Sequence, residues 1–419
     1  MMIDNDRIAV LTAWLADAGL AGLSETELVR GFCERAVAAG LPIGRALVLI
    51  DTLHPVHEGR LFRWGHDPSE PLVVAYGRTG AASKPAASSG VSPGQQQSDA
   101  NERWLRSPFF RMLQTGESRL RCLLTAENEG EFSILPEMRA AGMTDYVAII
   151  NRFAPAGVIG EMDCLYSSWA TSNPGGFTED QIEALTKVMP FLALAIKAVA
   201  LARMTGTLME TYLGRDAARR VLSGRIMRGV ADRIDAVIWF SDLRGFTRIT
   251  DSAPKQVIPL LNDYADVIVS TIHDQGGDVL KLMGDGTLAI FAADDRGRAC
   301  DAALRAAIAA RRGVAQLNTR RTGEGLPVTD MYLGLHVGEV FYGNVGSTER
   351  LDFTVIGPAV NEVSRIAAMC RSVDQPVLVS EAFANVGSVR DRIVSVGRYA
   401  LRGVARPQEL FTLEVGASS

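Results

Sequence analysis

Along the first 75 residues the apolar positions switch between helical and strand spacing. Ser24-Glu25-Thr26-Glu27 reads as a capping box opening an amphipathic helix through Phe32 and Val37, since the Ser24 side-chain oxygen and the Glu27 carboxylate both satisfy free helix N–H groups. ALVLIDTL (Ala46 to Leu53) reads as a buried strand and GRLFRW (Gly59 to Trp64) as its hairpin partner. Farther on, Ser107 to Gly116 predicts a short helix stopped by glycine. Ile134 to Phe153 predicts a helix followed by a strand, and Val158 to Trp169 a strand that pairs with it. Between them Thr79 to Asn101 is dominated by Gly, Ser, Pro, Ala and Gln. Such a segment cannot bury enough apolar surface to offset its ordering entropy, so it predicts a disordered insert within the first domain.

Thr178 and Gln181 form a second capping box, and the residues after it step by three and four: Ile182, Leu185, Met189, Leu192, Ile196, Val199. That is a heptad seam suited to pairing two chains. The same spacing fits a helix packed on its own domain, and Pro190 inside the seam keeps that alternative open. Glu210 to Gly229 mixes helical patterning with Gly214, Gly224 and Gly229, which predicts a jointed connector.

In the second half, Ala236 to Phe240 is a run of β formers that delivers Ser241 and Asp242 at its end, after which Leu243-Arg244-Gly245-Phe246-Thr247 turns into a helix. The first N–H groups of a helix suit a polyphosphate, so Asp242 reads as a metal ligand beside a phosphate cradle, with an ordinary helix cap as the plainer alternative. A helical stretch, Val257 to His273, leads to two strands, DVLKLM (Asp278 to Met283) and TLAIF (Thr287 to Phe291). Gly284-Asp285-Gly286 makes the turn between them and sets a second acid at the sheet rim.

Composition sharpens this picture in a few respects. A chain of 419 residues exceeds one ordinary core and predicts two domains with a connector. With 47% hydrophobic and 22% charged residues and a net charge of -5, it has no global bias toward nucleic acid. The start, MMIDNDRIAV, lacks the basic and apolar regions of an export signal. The apolar stretch Val188 to Ala202 is short for a membrane span and contains Lys197. The expectation is a cytoplasmic protein without membrane insertion. The cysteines at 33, 122, 164, 300 and 370 form no metal-binding or disulfide spacing and read as small buried hydrophobes. His54, His57 and His66 read as polar loop residues before they read as metal or haem ligands. The aromatic set Trp64, Trp104, Phe109, Phe110, Tyr146 and Trp169 reads as core before it reads as a pocket.

Two resemblances follow. The strands and crossing helices of the first 170 or so residues, closed by a long helix, resemble the GAF/PAS class of small-molecule sensor domains in architecture alone. That implies a small-molecule ligand of unknown identity. Far more specific, FSDLRGFT, KLMGDGTLA, GLHVGEVFYGNVG and FTVIGPAVNEVSRIAA match in order the motifs of the class III nucleotidyl cyclases, the adenylyl and guanylyl cyclase family. The implied organisation is a sensor over 1–177, a dimerisation and signal-transducing connector over 178–230, and a catalytic domain over 231–419. The implied fold class is α/β (α+β), with a ferredoxin-like sandwich for the catalytic domain.

The resemblance further implies that Asp242, Asp285 and the Leu243 carbonyl hold two Mg²⁺ or Mn²⁺ ions, with Gly245, Phe246 and Thr247 at the phosphates. It implies that Lys281 and Thr354 read the purine, Lys281 donating to adenine N1 and Thr354 accepting from the 6-amino group, which fits ATP; a guanine reader would carry an acid in place of Lys281. Asn361 and Arg365 are implied as the ribose-orienting and charge-stabilising residues. Their spacing of four puts both on one helix face. Arg402 stands where relatives often have a phosphate-contacting lysine, and Pro358 where they often have an acid or asparagine. One chain carries the set once, so a homodimer with two equivalent sites is implied. The expectation is an adenylyl cyclase making cyclic AMP and pyrophosphate under control of the first domain. The alternatives are a guanylyl or mixed cyclase and a catalytically inactive cyclase-like module. Thr354 also resembles a bacterial subgroup often stimulated by bicarbonate.

Overall fold

The computed structural model describes residues 5–66, 69–77, 102–125, 130–153, 159–160, 162–292, 295–386, 389–402, 404 and 406–414. The insert expected over 79–101 lies outside them. The chain divides into two compact units, Met1–Leu208 and Met209–Ser419, each mixed α and β.

In the first unit, helices α1 (Asn5–Leu20) and α2 (Glu25–Ala38) precede strands β1 (Arg45–Asp51), β2 (His57–Trp64) and β3 (Val73–Gly77). Then come α3 (Pro108–Thr115), β4 (Arg119–Leu123), α4 (Leu135–Ala140), β5 (Asp145–Arg152), β6 (Cys164–Thr171) and the long α5 (Glu179–Leu213), whose last residues belong to the second unit. The strands form one antiparallel sheet in the order β3-β2-β1-β6-β5-β4. Alternation along β6 feeds two cores: Leu165 and Trp169 face the helices, where Phe32 and Leu185 pack, while Cys164 and Tyr166 face Phe109, Met112 and Met138. The capping box of α2 is present in full, with Ser24 N–H donating to Glu27 Oε2 at 2.9 Å. The reciprocal pair Thr178 and Gln181 opens α5 in the same way. Gly116, in the left-handed region at φ 78°, ends α3 as expected. Of the strand expected over Val158 to Trp169, Cys164–Thr171 is a strand, while Val158 and Glu161 lie outside the described residues.

The heptad seam resolves differently from a chain-pairing surface. Ile182, Leu185, Met189, Leu192 and Ile196 are buried in the first unit's own core, and Val199 packs against it. Three-and-four spacing is common to coiled coils and to amphipathic helices, and here the helix's own sheet and α1 and α2 supply the covering surface. By length and composition α5 is also apolar enough to cross a membrane, but those same positions are occupied in packing this core. All the cysteines are buried, and the aromatic residues Phe109, Tyr146 and Trp169 are core. His54 Nδ1 accepts from the N–H groups of Val56 and His57, an ordinary loop arrangement, and no group of three or more His, Cys, Asp or Glu side chains placed to hold a metal ion occurs among the described residues.

The second unit carries α6 (Arg215–Leu222), β7 (Ala231–Leu243), α7 (Phe246–Ser252), α8 (Val257–Asp274), β8 (Asp278–Met283), β9 (Gly286–Ala292), α9 (Arg296–Gly323) and β10 (Met331–Gly346). It continues with β11 (Leu351–Ile356), α10 (Pro358–Val373), β12 (Val377–Ser380), α11 (Glu381–Ala384), β13 (Ile393–Tyr399) and β14 (Gln408–Leu413). The sheet order β13-β14-β12-β10-β7-β9-β8, with β11 on β10, contains β10-β7-β9-β8. Numbered within the β-α-β-β-α-β run, that is 4-1-3-2, the ferredoxin-like arrangement expected from the sequence. One face buries Trp239, Phe291 and Leu335 under α8 and α9; the other buries Ile238, Leu288 and Val340 against α10 and α6.

Candidate active site

β7 is an interior strand, paired with β10 from Ala231 opposite Gly343 to Leu243 opposite Met331, and with β9 from Ala236 to Ser241. Its middle is apolar and fully buried, so its polar end is pushed to the sheet rim. Ser241, opposite Thr287, turns inward and accepts a hydrogen bond from Trp239 Nε1 at 2.9 Å. The next residue, Asp242, lies on the opposite face, beside the Gly284-Asp285 turn that joins Met283 to Gly286. Gly284 has φ 65° while Asp285 stays in the ordinary region, the pattern of a turn whose first central residue must be glycine. That turn is how the sequence brings a second carboxylate to the same rim.

Burial pushes the Asp242 carboxyl up to about 6, and the charge of Asp285 acts in the same direction. Its Oδ1 is buried with no hydrogen-bond partner among the described residues. An acid so placed is short of positive charge and of donors, which is the chemistry of a cation ligand. The alternative of a helix cap is removed by the structure: α7 is preceded by Gly245 at φ 69°, with no side-chain cap. Leu243 ends β7 and is buried, Phe246 is half-buried, and Thr247 is exposed at the start of α7.

A second group of residues gathers on β8, β11 and α10. Lys281 follows a bulge in β8, where the ladder passes from Val279 opposite Ala289 directly to Lys281 opposite Leu288. Leu280 is the extra residue and turns into the core. Lys281 Nζ is ion-paired to the carboxylate of Asp352 on β11, two residues before Thr354. Thr354 is nearly buried and stands opposite Gly343, which has no side chain to cover it. Asp352 was missed by the sequence reading; its only signal there was an acid on the same strand face as Thr354.

Asn361 is exposed and Arg365 half-buried one turn later on α10, and Arg365 has no acidic partner among the described residues. Gly334 lets this helix lie close on β10, since a Cβ there would fall 2.7 Å from Val363 O and 2.8 Å from Ala367 N. Glu362, between the two polar residues, accepts from Gln408 Nε2 at 2.6 Å and lies 3.6 Å from His336 Nδ1. His336 is also 2.9 Å from Ser380 Oγ, and burial holds its pKa below the usual imidazole range. These contacts fix α10 to β14, β10 and β12. Arg402 is exposed in the segment between β13 and β14. An open cleft of about 1060 Å³ nearby is lined by Glu362, Glu381, Asn385, Arg398, Arg406 and Gln408, none of them singled out from sequence.

Within one chain, no hydrogen bond or ion pair among the described residues joins Asp242 or Asp285 to Lys281, Thr354, Asn361 or Arg365. The structure thus displays an acidic pair and a separate base, amide and guanidinium group.

Comparison with known proteins matches residues 230–415 to the family described as the adenylate and guanylate cyclase catalytic domain. An adenylate cyclase of Anabaena cylindrica is 36% identical over 159 residues, 37% of this chain and 31% of the relative. Among solved structures, the adenylyl cyclase CyaB from P. aeruginosa aligns at 25% identity with a TM-score of 0.41, covering 44% of this chain and 95% of that one. The guanylyl cyclase Cya2 aligns at 28% identity with a TM-score of 0.38, covering 44% and 96%. The chain spans about a third of the length of the curated relatives it matches.

Proposed function

We propose, from a class III cyclase catalytic domain over residues 230–415, that the protein is an adenylyl cyclase that converts ATP to 3′,5′-cyclic AMP and pyrophosphate at the interface of a homodimer. The observation that supports the choice of ATP is the ion pair of Lys281 with Asp352 on β11, the strand that carries Thr354. An ammonium donates to adenine N1, which accepts, and the threonine hydroxyl accepts from the 6-amino group. Guanine presents an N–H at its ring position and repels the same donor.

Asp242 and Asp285, with the Leu243 carbonyl, fit divalent cations: the unpartnered buried oxygen and the mutual repulsion of the two carboxylates are both relieved by positive charge. Bound Mg²⁺ or Mn²⁺ supplies Lewis-acid activation of the ribose 3′-hydroxyl and neutralises the triphosphate. The chain's own residues do the rest. Gly245, Phe246 and Thr247 offer backbone N–H groups to the phosphates, with Arg402 as an added cation. Asn361 orients the ribose, and Arg365 stabilises negative charge that develops as the 3′-oxygen attacks the α-phosphorus and pyrophosphate leaves.

The two groups on one chain serve different sites, Asp242 and Asp285 of one protomer facing Lys281, Thr354, Asn361 and Arg365 of its partner. The first unit, with its sheet covered by helices on both faces, is assigned as a sensor that controls the rate. The purified protein with Mn²⁺ is expected to form cyclic AMP from ATP in preference to cyclic GMP from GTP. Failure to form either product from its nucleotide overturns the reading, and preference for GTP overturns the base assignment.

A further inference from the structure

A cation ligand that is a main-chain carbonyl has no rotamer, and its direction is set by the plane of its peptide unit. Leu243 is the last residue of β7 to pair with β10, opposite Met331, so the peptide that follows it lies past the end of that ladder. Two bonds hold the chain there. The Arg244 N–H donates to the Asp330 carbonyl at 2.8 Å, and the Arg244 carbonyl accepts from Thr329 Oγ1 at 2.6 Å. The Leu243–Arg244 peptide is trans, so the Leu243 carbonyl points opposite to the Arg244 N–H, away from β10 and toward the side of β7 where β9 and the Gly284-Asp285 turn lie. Thr329 is itself held. Its N–H donates to Tyr264 Oη at 2.8 Å, the Tyr264 hydroxyl donates to Asn318 Oδ1, and Asn318 Nδ2 donates to the Thr329 carbonyl at 2.7 Å. The three residues form a closed ring, with Tyr264 and Thr329 both buried. Arg321, also buried, donates from Nε to the Pro327 carbonyl at 2.8 Å and pairs with Asp263, so α8 and α9 together grip the segment that leads into β10.

We infer that Thr329, locked by Tyr264 and Asn318, is a positioning residue for the cation-binding loop: together with the Asp330 carbonyl it fixes the peptide units on both sides of Arg244 and so aims the Leu243 carbonyl at the space beside Asp242 and Asp285. The inference rests on the proposed reading of Asp242, Asp285 and the Leu243 carbonyl as cation ligands. Groups that orient a ligand set its affinity for the metal even though they never touch it. Thr329 acts through the hydroxyl alone. Serine keeps that donor, whereas valine has nearly the same shape, leaves the Arg244 carbonyl without its partner and frees the peptide to rotate.

The test uses the full chain and compares Thr329→Val, Thr329→Ser and Asp285→Asn with the wild type. Mn²⁺ binding to the nucleotide-free protein is followed by electron paramagnetic resonance, and thermal melts are recorded in chelator. Thr329→Val is expected to weaken Mn²⁺ binding about tenfold, as suits loss of a group that orients a metal ligand. The Mn²⁺ concentration giving half-maximal turnover of ATP is expected to rise in step. Thr329→Ser is expected to bind Mn²⁺ within about twofold of the wild type, because the donor that holds the Arg244 carbonyl is retained. Asp285→Asn is expected to lose the binding. Wild-type Mn²⁺ affinity in Thr329→Val, whether or not that variant melts lower, overturns the inference when Asp285→Asn has lost it. If the wild type binds no Mn²⁺, or Asp285→Asn binds it as the wild type does, the reading of the acids as cation ligands fails first and this inference with it. Should Thr329→Val fail to fold, as judged by circular dichroism, Tyr264→Phe, which opens the ring and spares Thr329, is read by the same criteria.

Discussion

Asp242 is a carboxylate whose surroundings oppose its own charge. Its folded pKa of about 6 stands above the ordinary 3.8 because of burial and then of Asp285. A raised acid binds its proton more tightly in the folded state, so its stabilising contribution is complete below the ordinary value and is lost as pH rises through about 6. In metal-free protein, Asp242→Asn is therefore expected to melt higher than the wild type at pH 7 and to lose that advantage by pH 4. Thermal melts in chelator across that range check it. Added Mn²⁺ is expected to raise the melting temperature of the wild type and not of the variant. Equal pH dependence of the two proteins contradicts the account. The acids themselves were legible in sequence because each interrupts an apolar run at a glycine-bearing turn. Asp352 was not, because an ion pair between strands that are not sheet neighbours leaves no periodic trace.

At the scale of elements, patterning carried most of the second unit. The strands expected at Asp278 to Met283 and Thr287 to Phe291 and the helix over Val257 to His273 agree with the structure to within a residue or so at each end. Each is bounded by turn residues and has one clear period. The bulge at Leu280 was hidden, since one extra residue in a short strand barely alters its apolar count. The seam on α5 was ambiguous because a helix cannot show from spacing alone whether its apolar stripe meets a partner chain or its own sheet. For α10, the close approach at Gly334 has a direct consequence. The two nearest atoms a Cβ would meet are backbone, so Gly334→Ala must displace the helix that carries Asn361 and Arg365. It is expected to cost about 1–3 kcal/mol of stability and to reduce kcat more than it raises KM for ATP. Denaturant unfolding and steady-state kinetics measure both, and unchanged kcat in a destabilised but folded variant contradicts the positioning role given to this packing.

At the scale of the whole molecule, the proposed function puts two half-sites on the domain over residues 230–415. The division between protomers comes from the resemblance, and among the described residues of one chain no hydrogen bond or ion pair joins the acidic pair to Lys281, Thr354, Asn361 or Arg365. The sensor reading of the first unit comes from its architecture, α and β elements in an order that suits many small-molecule ligands. The most direct test of the central claim, catalysis between two copies of the catalytic domain, is complementation. Asp242→Asn and Arg365→Ala, each nearly inactive alone, are co-expressed with different tags and the mixed dimer is isolated. The mixed dimer has one site carrying both substitutions and one carrying neither, so it is expected to form cyclic AMP at about half the wild-type rate. A mixed dimer no more active than either variant alone, with both chains folded, contradicts the account.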